Sequence, residues 1–484
     1  MPSADQLYSV AEIREAERRA MAEHGIAGAV MMARAGAAAF EQIRRHWPEH
    51  RRLTVFCGAG NNAGDGYVVA RLALLAGYRV DVHALSDSAR LPVDAADAAE
   101  RYFQAGGRVE VLGDSLPGDS VVVDALLGIG LSRPVSEPYA SAIAAINASA
   151  APVVALDVPS GLDADTGNVL GCAVAADLTV TFIGLKRGLL TGFAADYCGE
   201  VVCDSLALPD EVLAGAGSIY RLTKTPPPPR PRVAHKGHCG HVLAVGGNLG
   251  YSGAIRLAGE AALRTGAGLV SIATRAVHSA VLNLGRPELM CHGVESSADL
   301  ASLLDKASVV VVGPGLGQDA WARTMFAAVL ASGKPCVVDA DALNLLASRS
   351  ERRDHWILTP HPGEAARLLG STTAQVGADR FAALVSLQQR YGGVCVLKGA
   401  GSLVGDGERI YVSSTGNPGM ASGGMGDVLA GLLGGLLAQG WSAPEAARLG
   451  VYVHGEAADR LALRHGERGL LAGDLPAEIR ELLN

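Results

Sequence analysis

The stretch Asn417–Gly440, NPGMASGGMGDVLAGLLGGLLAQG, sets an acid, Asp427, behind Gly423, Gly424 and Gly426 and ahead of an apolar, helix-compatible run from Val428 to Leu437. Glycines just before a helix leave backbone N–H groups turned toward an anion, and the helix dipole favours negative charge there. A carboxylate at the mouth of such an anion hole can take a proton from a hydroxyl as a phosphoryl group arrives. The same acid can instead cap the helix. Lys398 follows an apolar, strand-like run and opens KGAGS, Lys398–Ser402. Small residues there let the backbone approach a nucleotide, and the ammonium supplies charge for phosphate. Asp339 and Asp341 close another strand and suit magnesium, directly or through water, or a cap for the helix at Ala342. His361 stands between two prolines, placed to touch a substrate or to pair with a carboxylate. Together these residues point to phosphoryl transfer, or phosphate-assisted chemistry, on a small hydroxylated molecule.

The first half carries oxygen-bearing residues on three turns: Asn61, Asn62 and Asp65 in GAGNNAGDG, Asp124 in VVVDALLGIGL, and Asp157 and Ser160 in VVALDVPSGLD. Ligands of open parallel sheets bind at the carboxyl ends of strands, so these turns are expected to converge on one crevice. Their oxygens suit a hard cation better than zinc, although each residue alone is also an ordinary turn former. The spacing Gly58, Gly60, Gly64 misses the dinucleotide fingerprint, which disfavours an ordinary Rossmann dehydrogenase.

Elements that would position these residues can be read from the apolar pattern. Ser9-Val-Ala-Glu12 is a capping box for a helix through His24, and a second helix is expected over Ala29–His46. Strand–helix alternation then begins: strands over Leu53–Cys57, Arg79–Leu85, Val121–Ala125, Val153–Asp157, Leu178–Ile183 and Val201–Leu206, with a helix over Tyr67–Ala76. TKTPPPPRPRVA, Thr223–Ala234, favours polyproline II and reads as a semi-rigid linker. Alternation restarts with strands over His241–Val245, Leu269–Ala273, Val309–Val312, Cys336–Asp339, Trp356–Thr359 and Val394–Leu397, and helices over Ala254–Thr265 and Val451–Ala458. Two α/β domains are therefore expected.

At 484 residues the chain exceeds one ordinary core. A net charge of −8 and 5% aromatic residues argue against broad nucleic-acid binding. The eight cysteines form no C-x-x-C pair and are expected as mostly buried thiols. MPSADQLYSV has no apolar core of a signal peptide, and no apolar run approaches membrane length, so a soluble cytoplasmic protein is expected.

The second half resembles the ADP/ATP-dependent NAD(P)H-hydrate dehydratases of the ribokinase-like superfamily. The resemblance rests on HKGHCGHVLAVGG, GYSGAIRLAGEAALRTGAGLV, VVGPGLG, VDADALNLL, LTPHPGEAARLLG, VLKGAG and TGNPGMASGGMGDVLAG. The first half resembles NAD(P)H-hydrate epimerase domains through GNNAGDGYVVAR, DALLGIGL and LDVPSGLDADTG. Over nearly its whole length the chain is thus similar to the bifunctional NAD(P)H-hydrate repair enzymes. That resemblance implies a Rossmann-like three-layer epimerase domain over 1–222, the linker over 223–234, and a ribokinase-like α/β/α dehydratase domain over 235–484. It implies that R and S hydrates of NADH and NADPH are interconverted, and that the S form is dehydrated at the expense of ADP, or ATP as in some relatives. Magnesium and potassium are the implied ions, a homo-oligomer the implied assembly, and neither nucleic acid nor membrane an expected partner.

Carried over by motif, Asp427 is the base that activates the hydrate hydroxyl. Gly426 and Lys398, Gly399, Ala400, Gly401 and Ser402 line the nucleotide, and Ala254, Gly317 and His361 contact the hydrate together with Asp427. In the first half Asn62, Asp124 and Ser160 match potassium ligands. Asn61, Asn62, Ala63, Gly64, Asp65, Gly128, Ile129, Gly130, Leu131, Ser132, Arg133, Pro134 and Asp157 match hydrate contacts. Asp157 is the candidate for proton transfer in epimerisation, with Lys186 behind it. The chain departs from the family pattern at Ala63, where Gly is usual, at Ile129, where Thr is usual, and at Ala33, where Glu is usual. The alternative is a vitamin or sugar kinase fused to a binding or scaffolding domain.

Overall fold

A computed structural model describes residues 5–111, 116–215, 217–225, 227–349 and 351–484. The chain divides into two compact units, Met1–Ile219 and Tyr220–Asn484.

The first unit opens with two helices, α1 (Val10–His24) and α2 (Gly28–His46); Ser9 and Glu12 form the expected capping box on α1. Six strands follow: β1 (Arg52–Cys57), β2 (Arg79–Ala84), β3 (Val121–Ala125), β4 (Val153–Leu156), β5 (Leu178–Phe182) and β6 (Glu200–Asp204). They form one sheet in the order β2-β1-β3-β4-β5-β6, with every pair parallel. The period of two in a strand sends successive side chains to opposite faces. Leu53, Val55 and Cys57 accordingly join one apolar cluster with α1, α2 and the helix α3 (Asn61–Leu75), while Phe56 and Val122 join another with Ile143 and Ile146. The unit is thus a three-layer α/β/α sandwich. Its chain reverses direction across the sheet between β1 and β3, the place where open α/β sheets bind ligands at their strand ends.

One local expectation is corrected here. GNNAGDG is not a loop ahead of a helix at Tyr67; α3 begins at Asn61, with Gly60 as its N-cap. Asn is a poor mid-helix residue, but Asn61 and Asn62 fall in the first turn, where backbone donors lack helical partners and such residues are well tolerated, while Asp65 lies one position deeper. Asn61, Asn62 and Asp65 are therefore held by a helix, not by a loop.

The second unit is built on β7 (His241–Val245), β8 (Leu269–Thr274), β9 (Met290–Gly293), β10 (Val309–Val312), β11 (Cys336–Val338), β12 (Trp356–Leu358) and β13 (Val394–Leu397). These run parallel in the order β13-β12-β11-β10-β7-β8-β9, and a hairpin not foreseen from the sequence, β14 (Leu403–Gly405) and β15 (Ile410–Val412), extends the β13 edge antiparallel. The strands carry near-continuous Val, Ile and Leu because both faces are covered. The reversal point lies between β7 and β10, and the turns after them interlock: Asn248 N–H donates to Gly315 O at 2.6 Å and Gly247 N–H to Pro314 O at 3.0 Å.

The helix α4 (Met425–Ala438) starts three residues earlier than its apolar run, because Gly424 takes the left-handed conformation, φ 94°, and turns the chain into the helix. It packs against α5 (Ser252–Thr265) so closely that a Cβ on Gly431 would lie 2.0 Å from Ala258 O, and one on Gly435 2.8 Å from Thr265 Cβ. The expected helix over Val451–Ala458 is the buried centre of a longer one, α6 (Ala443–His465). The Pro-rich stretch carries no helix or strand among its described residues, and Arg230 docks it, donating to Gly266 O at 2.5 Å and Gln439 Oε1 at 2.6 Å. Cys57, Cys198, Cys336 and Cys395 are buried, but Cys203 is exposed. No described helix is long and apolar enough to cross a membrane.

Candidate active sites

In the second unit Asp427 is the third residue of α4. It does not cap the helix, since the N-cap is Gly424 and no side chain bonds there. Lys398, at the end of β13, reaches the same place: a Cβ on Gly426 would lie 3.2 Å from Lys398 Nζ and 3.7 Å from Asp339 Oδ2. Glycine at 426 thus leaves room for the ammonium. Lys398 Nζ donates to Asp339 Oδ1 at 2.8 Å and lies 3.9 Å from Glu364. Burial pulls the ammonium down, but Asp339 and Glu364 outweigh it and hold Lys398 above the usual lysine range.

Asp339 is buried and does not cap the helix after β11; it accepts from Thr359 Oγ1 at 2.7 Å as well as from Lys398. Asp341 accepts the Gly317 N–H at 2.8 Å. Each acid thus holds protein donors, but both bonds to Asp339 fall on its Oδ1, while its Oδ2 faces Gly426. Asp427 feels the whole cluster. Burial first, then repulsion from Asp339, raises its carboxyl to about 7; Lys398 pulls it back, and Asp341 and Glu364 add to the rise. Burial likewise raises Glu364, against the pull of Lys398.

His361 caps the helix Pro362–Leu369: its Nδ1 accepts from Gly363 N–H at 3.0 Å, so the ring proton sits on Nε2, 3.4 Å from Glu364 Oε1. Burial and the nearby Lys398 lower its pKa, consistent with a neutral ring. Ala254 lies in the first turn of α5, and a Cβ on Gly315 would touch its Cβ at 3.2 Å. Gly317 backs onto Asn248, whose Nδ2 donates to Leu316 O at 3.1 Å and Asp319 at 3.0 Å. The loop 398–402 is closed by Ser402, whose Oγ accepts the Gly399 N–H at 3.2 Å and donates to Gly399 O at 3.0 Å. Thr359, Glu364 and Asn248 had no assigned role in the sequence reading. Glu364 was legible as the fourth residue of a capping box; the tertiary contacts of the other two were not.

In the first unit, Asp124 is fully buried at the end of β3. It accepts from Ser160 Oγ at 2.6 Å, Ser160 N–H at 2.8 Å and Leu126 N–H at 3.2 Å. These are neutral donors, and burial raises the carboxyl to about 6. Beside it, Asn62 donates through Nδ2 to Leu127 O at 3.0 Å, while its buried Oδ1 has no partner among the described residues. The Asp124 carboxylate and the orphaned Asn62 Oδ1 are buried oxygen acceptors of the kind a monovalent cation takes.

Asp157, at φ 66° after β4, makes its own set of contacts. Its Oδ1 accepts from Thr181 Oγ1 and Phe182 N–H, both at 3.2 Å, and from the ammonium of Lys186, which is 1% exposed. Lys186 also donates to Thr181 Oγ1 at 3.0 Å and Phe182 O at 2.7 Å. Two further acids face this pair. Burial, then the charge of Asp157, raises both Asp65 and Glu17. Glu17 was not anticipated; its signal was an acid four residues from Ile13 on the buried stripe of α1. Ala63 is fully buried, Ile129 is half-buried against two apolar clusters, and Gly130–Pro134 is mostly exposed.

Comparison with known proteins gives these sites a context. The family model described as NAD(P)H-hydrate dehydratase matches residues 242–481, and that of the YjeF-related protein N-terminus matches residues 28–188. The chain is 50% identical over 486 residues to the bifunctional NAD(P)H-hydrate repair enzyme Nnr of Coxiella burnetii, covering 99% of each chain. It is 46% identical to the Escherichia coli enzyme of the same name, over 98% of this chain and 93% of that one. Among solved structures, the ADP/ATP-dependent NAD(P)H-hydrate dehydratase of Bacillus subtilis, co-crystallised with ATP and Mg2+, shares 28% identity at a TM-score of 0.49, over 53% of this chain and 93% of that one. At such identity over its full length, the chain belongs to the family of bifunctional NAD(P)H-hydrate repair enzymes.

Proposed function

We propose how the two units divide the repair of hydrated NADH and NADPH. The second unit removes water from the S hydrate, and Asp427 is the base. Its carboxylate takes the proton of the ring hydroxyl as that oxygen attacks the terminal phosphoryl group of ADP. The N–H groups of the first turn of α4 and the Lys398 ammonium face the phosphates and stabilise charge as it develops. Phosphate is a far better leaving group than hydroxide, so the C–O bond breaks with phosphate departing, the neighbouring ring carbon gives up its proton to solvent, and the ring double bond forms, restoring the dihydronicotinamide and leaving AMP and phosphate. Magnesium, when bound, neutralises the transferring phosphoryl oxygens, and it enters with the nucleotide. His361, Ala254 and Gly317 line the hydrate, and the Lys398–Ser402 loop lines the nucleotide.

The observation that carries this reading is the position of Asp427: uncommitted to capping, at an anion-binding helix start, beside a lysine, and with proton affinity near neutrality. A base is most useful when its pKa lies near the working pH.

The first unit epimerises the hydrates. Lys186 donates to Asp157 and orients its carboxylate, while Asp65, whose carboxyl burial and the charge of Asp157 raise, stands on the same side as a proton donor. Potassium, when bound, counters the charge of Asp124, and Asn62 Oδ1 and Asp124 would hold it, with Ser160 fixing the carboxylate. The test uses the full chain with mixed R and S NADH hydrates, magnesium, potassium and ADP, and follows recovery of the dihydronicotinamide absorbance. Complete recovery, faster than spontaneous epimerisation, is expected. Recovery that stalls after the S fraction refutes the epimerase assignment, and no recovery with ADP or ATP refutes the dehydratase one.

A further inference from the structure

Arg380 is the first residue of the helix Arg380–Tyr391, and its side chain is buried. Among the described residues no carboxylate lies within ion-pairing distance of it. Asp379, its neighbour in sequence, commits its carboxylate to the helix cap, accepting from Ala382 N–H at 2.9 Å. The guanidinium instead turns onto a single loop. Its Nη2 donates to Leu397 O at 3.3 Å, to Gly401 O at 3.2 Å and, at the limit of a hydrogen bond, to Lys398 O at 3.5 Å. Gly399, at φ 140°, passes so close that a Cβ there would lie 2.4 Å from Nη1. The buried Nε has no partner among the described residues.

A buried cation without a counter-charge is costly. Its desolvation lowers the guanidinium to about 10. Carbonyl dipoles compensate only in part, so a negative ligand on the far side of the loop would supply what the protein does not. The loop concerned is the one whose lysine faces Asp427.

We propose that Arg380 is a positioning residue for the phosphate-bearing nucleotide: it grips the Lys398–Ser402 loop from below, presets its backbone, and lends it positive potential. This rests on the assignment of that loop to the nucleotide. Arg380 touches neither substrate, so its removal weakens nucleotide binding without disabling the base.

The test compares wild type, Arg380→Lys and Arg380→Gln as full-length proteins, with MgADP titrated calorimetrically and S-hydrate turnover measured at saturating ADP. Arg380→Gln is expected to raise the ADP Kd at least tenfold, with kcat within about threefold and the hydrate KM unchanged. Arg380→Lys, which keeps charge but loses the fork, is expected to fall between. If Arg380→Gln does not fold, Arg380→Lys decides alone. Unchanged ADP affinity, or loss of kcat with intact affinity, overturns the proposal. Hydrogen exchange separates this from failure of the underlying assignment: in wild type, ADP is expected to protect amides of residues 398–402. Absence of that protection removes the nucleotide assignment itself; protection in wild type with equal affinity in both variants removes only Arg380.

Discussion

Asp427→Asn separates the chemistry of the dehydratase site from its architecture. The substitution keeps shape and the helix start but cannot accept a proton. General-base catalysis contributes about 10²–10⁴-fold, so dehydration at saturating ADP is expected to fall by that factor with ADP affinity retained. The pH dependence gives a second magnitude. With its carboxyl at about 7, Asp427 is ionised to roughly a tenth at pH 6 and about nine tenths at pH 8. Wild-type kcat/KM is therefore expected to climb about tenfold over that interval and then level. Lys398→Gln removes the cation that pulls this carboxyl down and moves the rising limb to higher pH. Stability should run the other way. A folded-state pKa above the unfolded value makes the protonated form the favoured one, so the apo protein loses stability as pH rises from about 4 to about 7 and no further above that. Asp427→Asn abolishes that loss, giving a higher Tm than wild type at pH 8 and no gain at pH 4. The assay is absorbance recovery under single-turnover conditions, paired with thermal scans at the two pH values. Near-normal turnover in Asp427→Asn, or a rising limb that persists in it, would refute the assignment of the base.

Three further outcomes are expected. Asp157→Ala strands the buried Lys186 ammonium and should destabilise the first unit by about 3–5 kcal/mol, seen as early loss of epimerase activity in urea; a change under about 1 kcal/mol would show the pair to be well solvated. Asn62→Ala and Asp124→Ala should remove any dependence of epimerisation on potassium, and any rise in Tm with KCl over NaCl, while dehydration continues; potassium effects that survive both variants would place the ion elsewhere. Gly431→Ala pushes a methyl to 2.0 Å from Ala258 O and should cost at least about 1–3 kcal/mol with loss of dehydratase activity, measured by denaturant unfolding and turnover of the same preparation.

Much of both units was legible in sequence because strands buried on both faces read as unbroken apolar runs: β7, β10 and β13 have the expected limits. The hairpin β14–β15 was not, since three-residue strands are too short to show a period. Glycines located α4, but its true start depended on Gly424 turning left-handed, which spacing alone does not specify. Candidate site residues could be named one by one from their motifs. Their partnerships could not: the bond from Lys398 to Asp339 spans 59 residues and that from Asp341 to Gly317 spans 24. Arg380 was invisible for the same reason, being an ordinary charge in sequence and unusual only through what surrounds it.

The helix that carries Asp427 holds four glycines in fourteen residues. Each costs about 1 kcal/mol of helix propensity relative to alanine, and a segment this short is marginal alone in water even when its composition is favourable. Only the neighbours that its glycines allow so close keep it wound. Loosening of the second unit therefore erases the anion hole before any partly folded state can use it. A damaged or heat-stressed copy therefore loses the seat of Asp427 at the same moment that it stops being native.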